Sequence, residues 1–89
     1  MIKVKTTSKK PYIAYLDIET TGLASEKGEI TVIGICLEDS NHQRVIQLLE
    51  DNISSAEVLK IIKDVHTLYT YNGTRFDLPY IRTRLGIDL

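Results

Sequence analysis

The chain has 89 residues, 43% of them hydrophobic and 26% charged, with a net charge of -1, no Trp and a single Cys. That length holds one small domain with a genuine core and excludes a large multi-domain enzyme, while the apolar fraction excludes a disordered chain. The lone Cys36 excludes an internal disulfide and a Cys-based zinc site, and it sits in an apolar run where a small buried thiol is an ordinary occupant.

Basic charge is concentrated at the start, where Lys3, Lys5, Lys9 and Lys10 fall in the first ten residues. The body is therefore acidic, unlike a nucleic-acid binder with a broad basic face. The lysines read as a solvated tail, with a phosphate-touching arm as the sharper alternative. No apolar run approaches the roughly 18 residues that a bilayer span requires, and the amino terminus lacks the apolar stretch of a signal peptide. The expected location is soluble and cytoplasmic.

Residues 1–11 end in a Pro after weak alternation and are expected to be an edge strand or an extended lead-in. From Tyr12 to Glu19, YIAYLDIE is an apolar run with polar groups only at its end, as in a central strand whose carboxyl end leaves the sheet. The polar, Gly-containing TTGLASEKGE that follows reads as a loop. Ile30 to Leu37 is β-branched and reads as a second buried strand, with Gly34 marking close packing or a bulge. EDSNHQ turns the chain into RVIQLLE, a third strand completing a hairpin.

The hydrophobic period then changes. Ser54 and Glu57 fit a capping box, and Val58, Ile62 and Val65 share a stripe, which predicts a helix from about Ser55 to Val65. Thr67 to Tyr71 reads as a short fourth strand ending in the turn Asn72-Gly73. Asp77 can cap a last helix with Pro79 in its first turn, an apolar stripe of Leu78, Ile81 and Leu85, and Gly86 at its end. The order strand, strand, strand, helix, strand, helix implies an α/β fold with a mixed sheet. It brings Glu19 and the loop after Tyr71 to the rim where open α/β sheets bind ligands.

Asp17 and Glu19, two apart in a strand, point to one face about 7 Å apart. Carboxylates gathered so closely repel unless cations neutralise them, and oxygen ligands without His or Cys select Mg²⁺ or Mn²⁺. The plainer alternative is a pair of strand-end acids facing solvent. Asp77, at the start of the helix after the fourth strand, lies where that strand's end would meet them, and its plainer alternative is helix capping.

YLDIETTGL, residues 15–23, resembles the first motif of the DnaQ-like, or DEDD, 3'-5' exonucleases of the ribonuclease H-like superfamily, and YNGTRFDLPYIRTRLG, residues 71–86, resembles their second. The wording of both is closest to ribonuclease H-like exonucleases of the YprB type, and the resemblance spans Tyr12 to Gly86. It implies residues 12–89 as the amino-terminal part of an exonuclease domain with a ribonuclease H-like mixed sheet, truncated before strand five. It implies that Asp17, Glu19 and Asp77 are catalytic and hold two Mg²⁺ or Mn²⁺ ions, and that the substrate is a single-stranded DNA or RNA 3' end. Thr20 and Leu23 would approach the terminal nucleotide, Leu23 as an apolar wedge against its base. Asn72 and Phe76 would shape the substrate groove. Core packing is the alternative for Leu23 and Phe76, and a solvated helix face is the alternative for Arg75, Arg82 and Arg84.

The same resemblance calls for a fourth acid and a His or Tyr base in a third, downstream motif. Asp88 follows the second motif too closely, and His42 and His66 precede it, so both histidines read as surface residues. The catalytic constellation is expected to be incomplete, with the uncovered fourth strand and last helix offering a route to self-association. A non-catalytic module of the same fold, binding nucleic acid or protein, is the alternative from another class. A phosphatase of the haloacid dehalogenase type fits DIETT loosely, but Glu19 and the hairpin after the motif depart from that pattern.

Overall fold

The computed structural model describes residues 2–5, 12–25, 27–71 and 73–89; Lys9, Lys10 and Asn72, singled out above, lie outside the described residues. Five strands, β1 (Ile2–Lys5), β2 (Tyr12–Thr20), β3 (Ile30–Glu38), β4 (Gln43–Leu49) and β5 (Val65–Thr70), form one sheet in the order β1-β5-β2-β3-β4. The helices are α1 (Ser55–Ile62) and α2 (Leu78–Leu85), with a 3₁₀ turn at Glu50–Asn52 and a π-helical turn at Gly73–Asp77. The fold is a mixed α/β fold.

β2 pairs parallel with β5 and antiparallel with β3, which pairs antiparallel with β4. The helical crossover between β4 and β5 accounts for the one parallel pair, since parallel neighbours need a long connection. Along β2, Ala14, Leu16 and Ile18 are buried while Asp17 and Glu19 are exposed, so the period of two divides the strand between a core face and an open one. Ile33, Ile35, Leu48 and Leu68 join the core face, and Val58 of α1 and Tyr80 and Ile81 of α2 close over it. On the open face, Tyr15 and Tyr69 occupy paired positions and stack with ring centroids 5.3 Å apart.

α1 begins as the capping signal requires: Ser54 is extended, and its Oγ accepts from the Glu57 N–H at 3.1 Å. The helix is shorter than predicted because Val65 belongs to β5, where it is buried. α2 ends at Gly86, whose φ of 71° is the left-handed conformation that lets its N–H reach the Arg82 carbonyl.

The expected open edge on the fourth predicted strand is not there. β1 pairs antiparallel with β5 from Ile2 opposite Thr70 to Lys5 opposite Thr67, so residues 2–5 form the edge of the sheet and β5 is interior. The last helix likewise buries Tyr80 and Ile81, which removes the uncovered apolar side on which self-association was expected. Cys36 is only half-buried, on the open face opposite Tyr15 and Val45, because its place in the register puts it away from the core. Among the described residues no helix is long and apolar enough to cross a membrane.

Candidate active site

The rim at the carboxyl ends of β2 and β5 carries the acids. Asp17 stands on the open face opposite Gly34, and the missing side chain at Gly34 leaves a groove beside it. This groove, of about 430 Å³, is bordered by Tyr15, Asp17, Gly34, Gln47, Tyr69 and Tyr71. Gly34 is regularly paired; the irregularity lies instead between Glu19 and Thr20, where the register with β3 shifts. Bulges of this kind bend a strand and re-aim its side chains. Here Thr31 Oγ1 donates to the Glu19 carbonyl at 3.2 Å, at the last regular pair before the bend.

Asp77 behaves differently. It is 3% exposed, has helical backbone angles and makes no side-chain capping bond among the described residues, so the capping role is not the one it plays. The π-helical turn before it carries helical geometry back to Gly73, which moves the start of the coil away from Asp77. Its Oδ2 is buried without a hydrogen-bond partner among the described residues. Burial, and secondarily the charge of Asp17, push its pKa up to about 6 from 3.8. A carboxylate buried near another carboxylate and left short of donors is costly to ionise.

The structure therefore brings Asp17 and Asp77 into each other's field. It leaves Glu19 exposed, and among the described residues no group of three His, Cys, Asp or Glu side chains is assembled that could hold a metal. The donor set of Asp17 and Asp77 suits a hard divalent cation, because an orphaned carboxylate oxygen beside a second carboxylate is satisfied by an ion that prefers oxygen.

The remaining predicted residues separate by environment. Leu23 is 88% exposed, so it is not a core residue. Thr20 Oγ1 donates to the Gly22 carbonyl at 2.8 Å, which commits its hydroxyl to the loop. Phe76 is half-buried with its ring 5.3 Å from that of Tyr80, the packing arrangement given above as its alternative. Arg84 is paired with Glu29 at 2.6 Å, whereas Arg75 and Arg82 are exposed. His42 and His66 are exposed, His42 lying 3.6 Å from the Asp39 carboxylate. β2 continues into an antiparallel hairpin, as the argument against the phosphatase alternative requires.

Two features escaped the sequence reading. Tyr80 is buried at 1% exposure and donates its hydroxyl to the Gly22 carbonyl at 2.9 Å, linking the two motifs. The aromatic residue four after Phe76, on the same side of a helical stretch, was the available signal. A second groove, of about 360 Å³ between α1 and the core face at Leu37, Ile46 and Leu48, has none of the three candidate acids in its lining.

A family profile described as the RNase H superfamily matches residues 14–89. The chain belongs to the RNase H superfamily. A DNA polymerase of Methanocaldococcus jannaschii is 29% identical over 58 residues, an alignment that takes in 62% of this chain and 4% of the polymerase. This RNase H-like chain thus spans a small fraction of that relative's length. No solved structure matches it.

Proposed function

We propose that this RNase H-like chain is part of a metal-dependent 3'-5' exonuclease domain of the DnaQ-like type that acts on single-stranded nucleic-acid ends. The observation that carries the reading is the buried Asp77 carboxylate, with an oxygen lacking a partner among the described residues, in the field of Asp17 on the neighbouring strand end. The superfamily includes nucleases, and the polymerase similarity is compatible with an exonuclease.

In this reading Asp17 and Asp77 hold the cation, and Glu19, exposed on the same face, is free to turn toward it. The chemistry a divalent ion would supply there is activation of water and neutralisation of phosphodiester charge. Leu23 offers its exposed side chain to the terminal base, and the groove beside Asp17 leaves room for the strand. Thr20 shapes the loop through its bond to Gly22, and Phe76 supports the site by packing on Tyr80. Asn72 is assigned to the groove by motif alone.

Mn²⁺ titration followed by cleavage of a 3'-labelled single-stranded oligonucleotide, set against Asp17→Asn, tests this directly. The wild-type chain should gain thermal stability with Mn²⁺, a longer chain carrying the third motif should shorten the strand from its 3' end, and the corresponding Asp17→Asn variants should do neither. Equal Mn²⁺ responses in both proteins would remove the metal assignment.

A second reading is a binding module that keeps the fold without the chemistry. It predicts oligonucleotide or protein binding that is indifferent to Mn²⁺ and to Asp17→Asn.

A further inference from the structure

We infer that Tyr80 is a positioning residue for the loop that presents Leu23, and that it works by tying the Gly22 carbonyl to helix α2. The role assigned to Leu23 rests on the exonuclease reading; the tie itself does not.

Leu23 is a large apolar side chain held in solvent at 88% exposure, so hydrophobic burial contributes little to fixing it. Its backbone is nevertheless fixed on the residue before it. The Gly22 carbonyl accepts from Thr20 Oγ1 at 2.8 Å and from the Tyr80 hydroxyl at 2.9 Å, which occupies both lone pairs of one oxygen. The first donor is local; the second comes from 58 residues away.

The path of the phenol to that carbonyl is kept open by a glycine. A Cβ on Gly28 would lie 1.8 Å from the Tyr80 hydroxyl oxygen and 3.1 Å from Cζ, and such an approach does not occur between real atoms. The loop also closes on itself, with the Thr21 N–H on the Glu29 carbonyl at 2.9 Å and the Glu29 N–H on Thr21 Oγ1 at 3.0 Å. Arg84, one turn beyond Tyr80 on α2, then grips Glu29 at 2.6 Å. One helix therefore touches the loop at both ends, at Gly22 from a ring that is itself 1% exposed in the core and at Glu29 from a surface ion pair.

A buried tyrosine hydroxyl needs some acceptor, and any nearby carbonyl would meet that need. The need alone does not require a slot at Gly28 or a second tie at Glu29. Those features make sense if the loop must stand in one place against α2, whose first turn follows Asp77 directly. Small displacements of groups that orient a substrate are expensive, up to about 100-fold in rate for 1 Å.

The test uses the 89-residue chain with Tyr80→Phe, which keeps the ring and removes the donor. Backbone hydrogen exchange at Thr21, Gly28 and Glu29, whose N–H groups are hydrogen-bonded within the loop, should accelerate about five- to tenfold, the loss of roughly one hydrogen bond, with the sheet and α1 unchanged. Binding is then followed with a single-stranded oligonucleotide carrying a fluorescent 3'-terminal base and a cleavage-resistant last linkage, in Mn²⁺. Tyr80→Phe and Leu23→Ala should each weaken binding several-fold and abolish the fluorescence change, while Mn²⁺ affinity is retained. Their combination should cost no more than Leu23→Ala alone, the mark of two residues acting as one. Unchanged exchange at Thr21, Gly28 and Glu29, or additive binding losses, would overturn the proposal. A wild-type chain that binds no oligonucleotide would refute the exonuclease reading instead, and the exchange contrast would still decide the tie.

Discussion

The acids at the rim stand in two unlike settings, Asp17 and Glu19 exposed at the end of β2 and Asp77 almost wholly buried where the π-helical turn runs into α2. Water solvates the first pair, and their charge adds little strain to the fold. Asp77 has neither water nor, at Oδ2, a hydrogen-bond donor among the described residues, and it faces the charge of Asp17. Apolar or amide groups would fill that position at lower cost to folding. The contrast teaches that the two settings answer to different demands: β2 shows acids that the fold tolerates, and α2 shows one that the fold keeps at its own expense.

The largest effect that separates the settings concerns chemistry. In a longer chain that carries the third motif, Asp17→Asn and Asp77→Asn should each lower Mn²⁺-dependent cleavage at least about 100-fold, more than is typical for outer partners of a metal ligand. Matched cleavage by wild type and either variant would dissolve the pairing of the two acids.

Next in size is stability at the buried end. Ile81→Ala, beneath the start of α2, should cost about 2–5 kcal/mol, whereas Leu23→Ala should stay within about 0.5 kcal/mol. Denaturant melts of both variants give the comparison, and a large loss at Leu23 would contradict its exposure.

A smaller effect depends on pH. A carboxyl whose pKa is raised on folding favours the protonated folded state, so the stability it contributes is present below 3.8 and lost as the pH rises through about 6. Without divalent cation the melting temperature should fall between about pH 4 and pH 7, and Asp77→Asn should flatten that slope and stabilise the neutral-pH protein by about 1–3 kcal/mol. An unchanged slope in the variant would assign the pH dependence to other groups. The smallest effect is Glu19→Gln, which should leave the metal-free melting temperature within about 2 °C, as expected of an exposed acid.

Much of this architecture was legible because its signals are local. The alternation of YLDIE, the β-branched run at Ile30, Ser54 ahead of Glu57 and Gly86 after Leu85 each act within a few residues, and each lands where the physical rule puts it. What escaped is non-local. The first residues left strand and extended lead-in both open, and the place of β1 in the sheet is set by its pairing with β5, some 65 residues on. The π-helical turn escaped because Asp77 followed by Pro79 imitates a helix start, and the backbone began its coil earlier. For the site, the acids stand out in sequence, but their inequality does not. Exposure of Glu19 follows the period of two along β2, while burial of Asp77 arises from the tertiary packing of the segment after β5, which has no short-range signature.

The stacked rings of Tyr15 and Tyr69 give the molecule an optical property of its own. With five tyrosines and no Trp, all of the protein's near-ultraviolet emission is tyrosine emission, and two of those rings lie 5.3 Å apart in the groove that contains Asp17. Rings at that separation share excitation, so their signal is sensitive to any change in charge next to them. A cation arriving at Asp17 would announce itself in the unlabelled protein, and replacing Tyr69 with Leu would remove the part of that signal that comes from the stacked pair while leaving the acids in place.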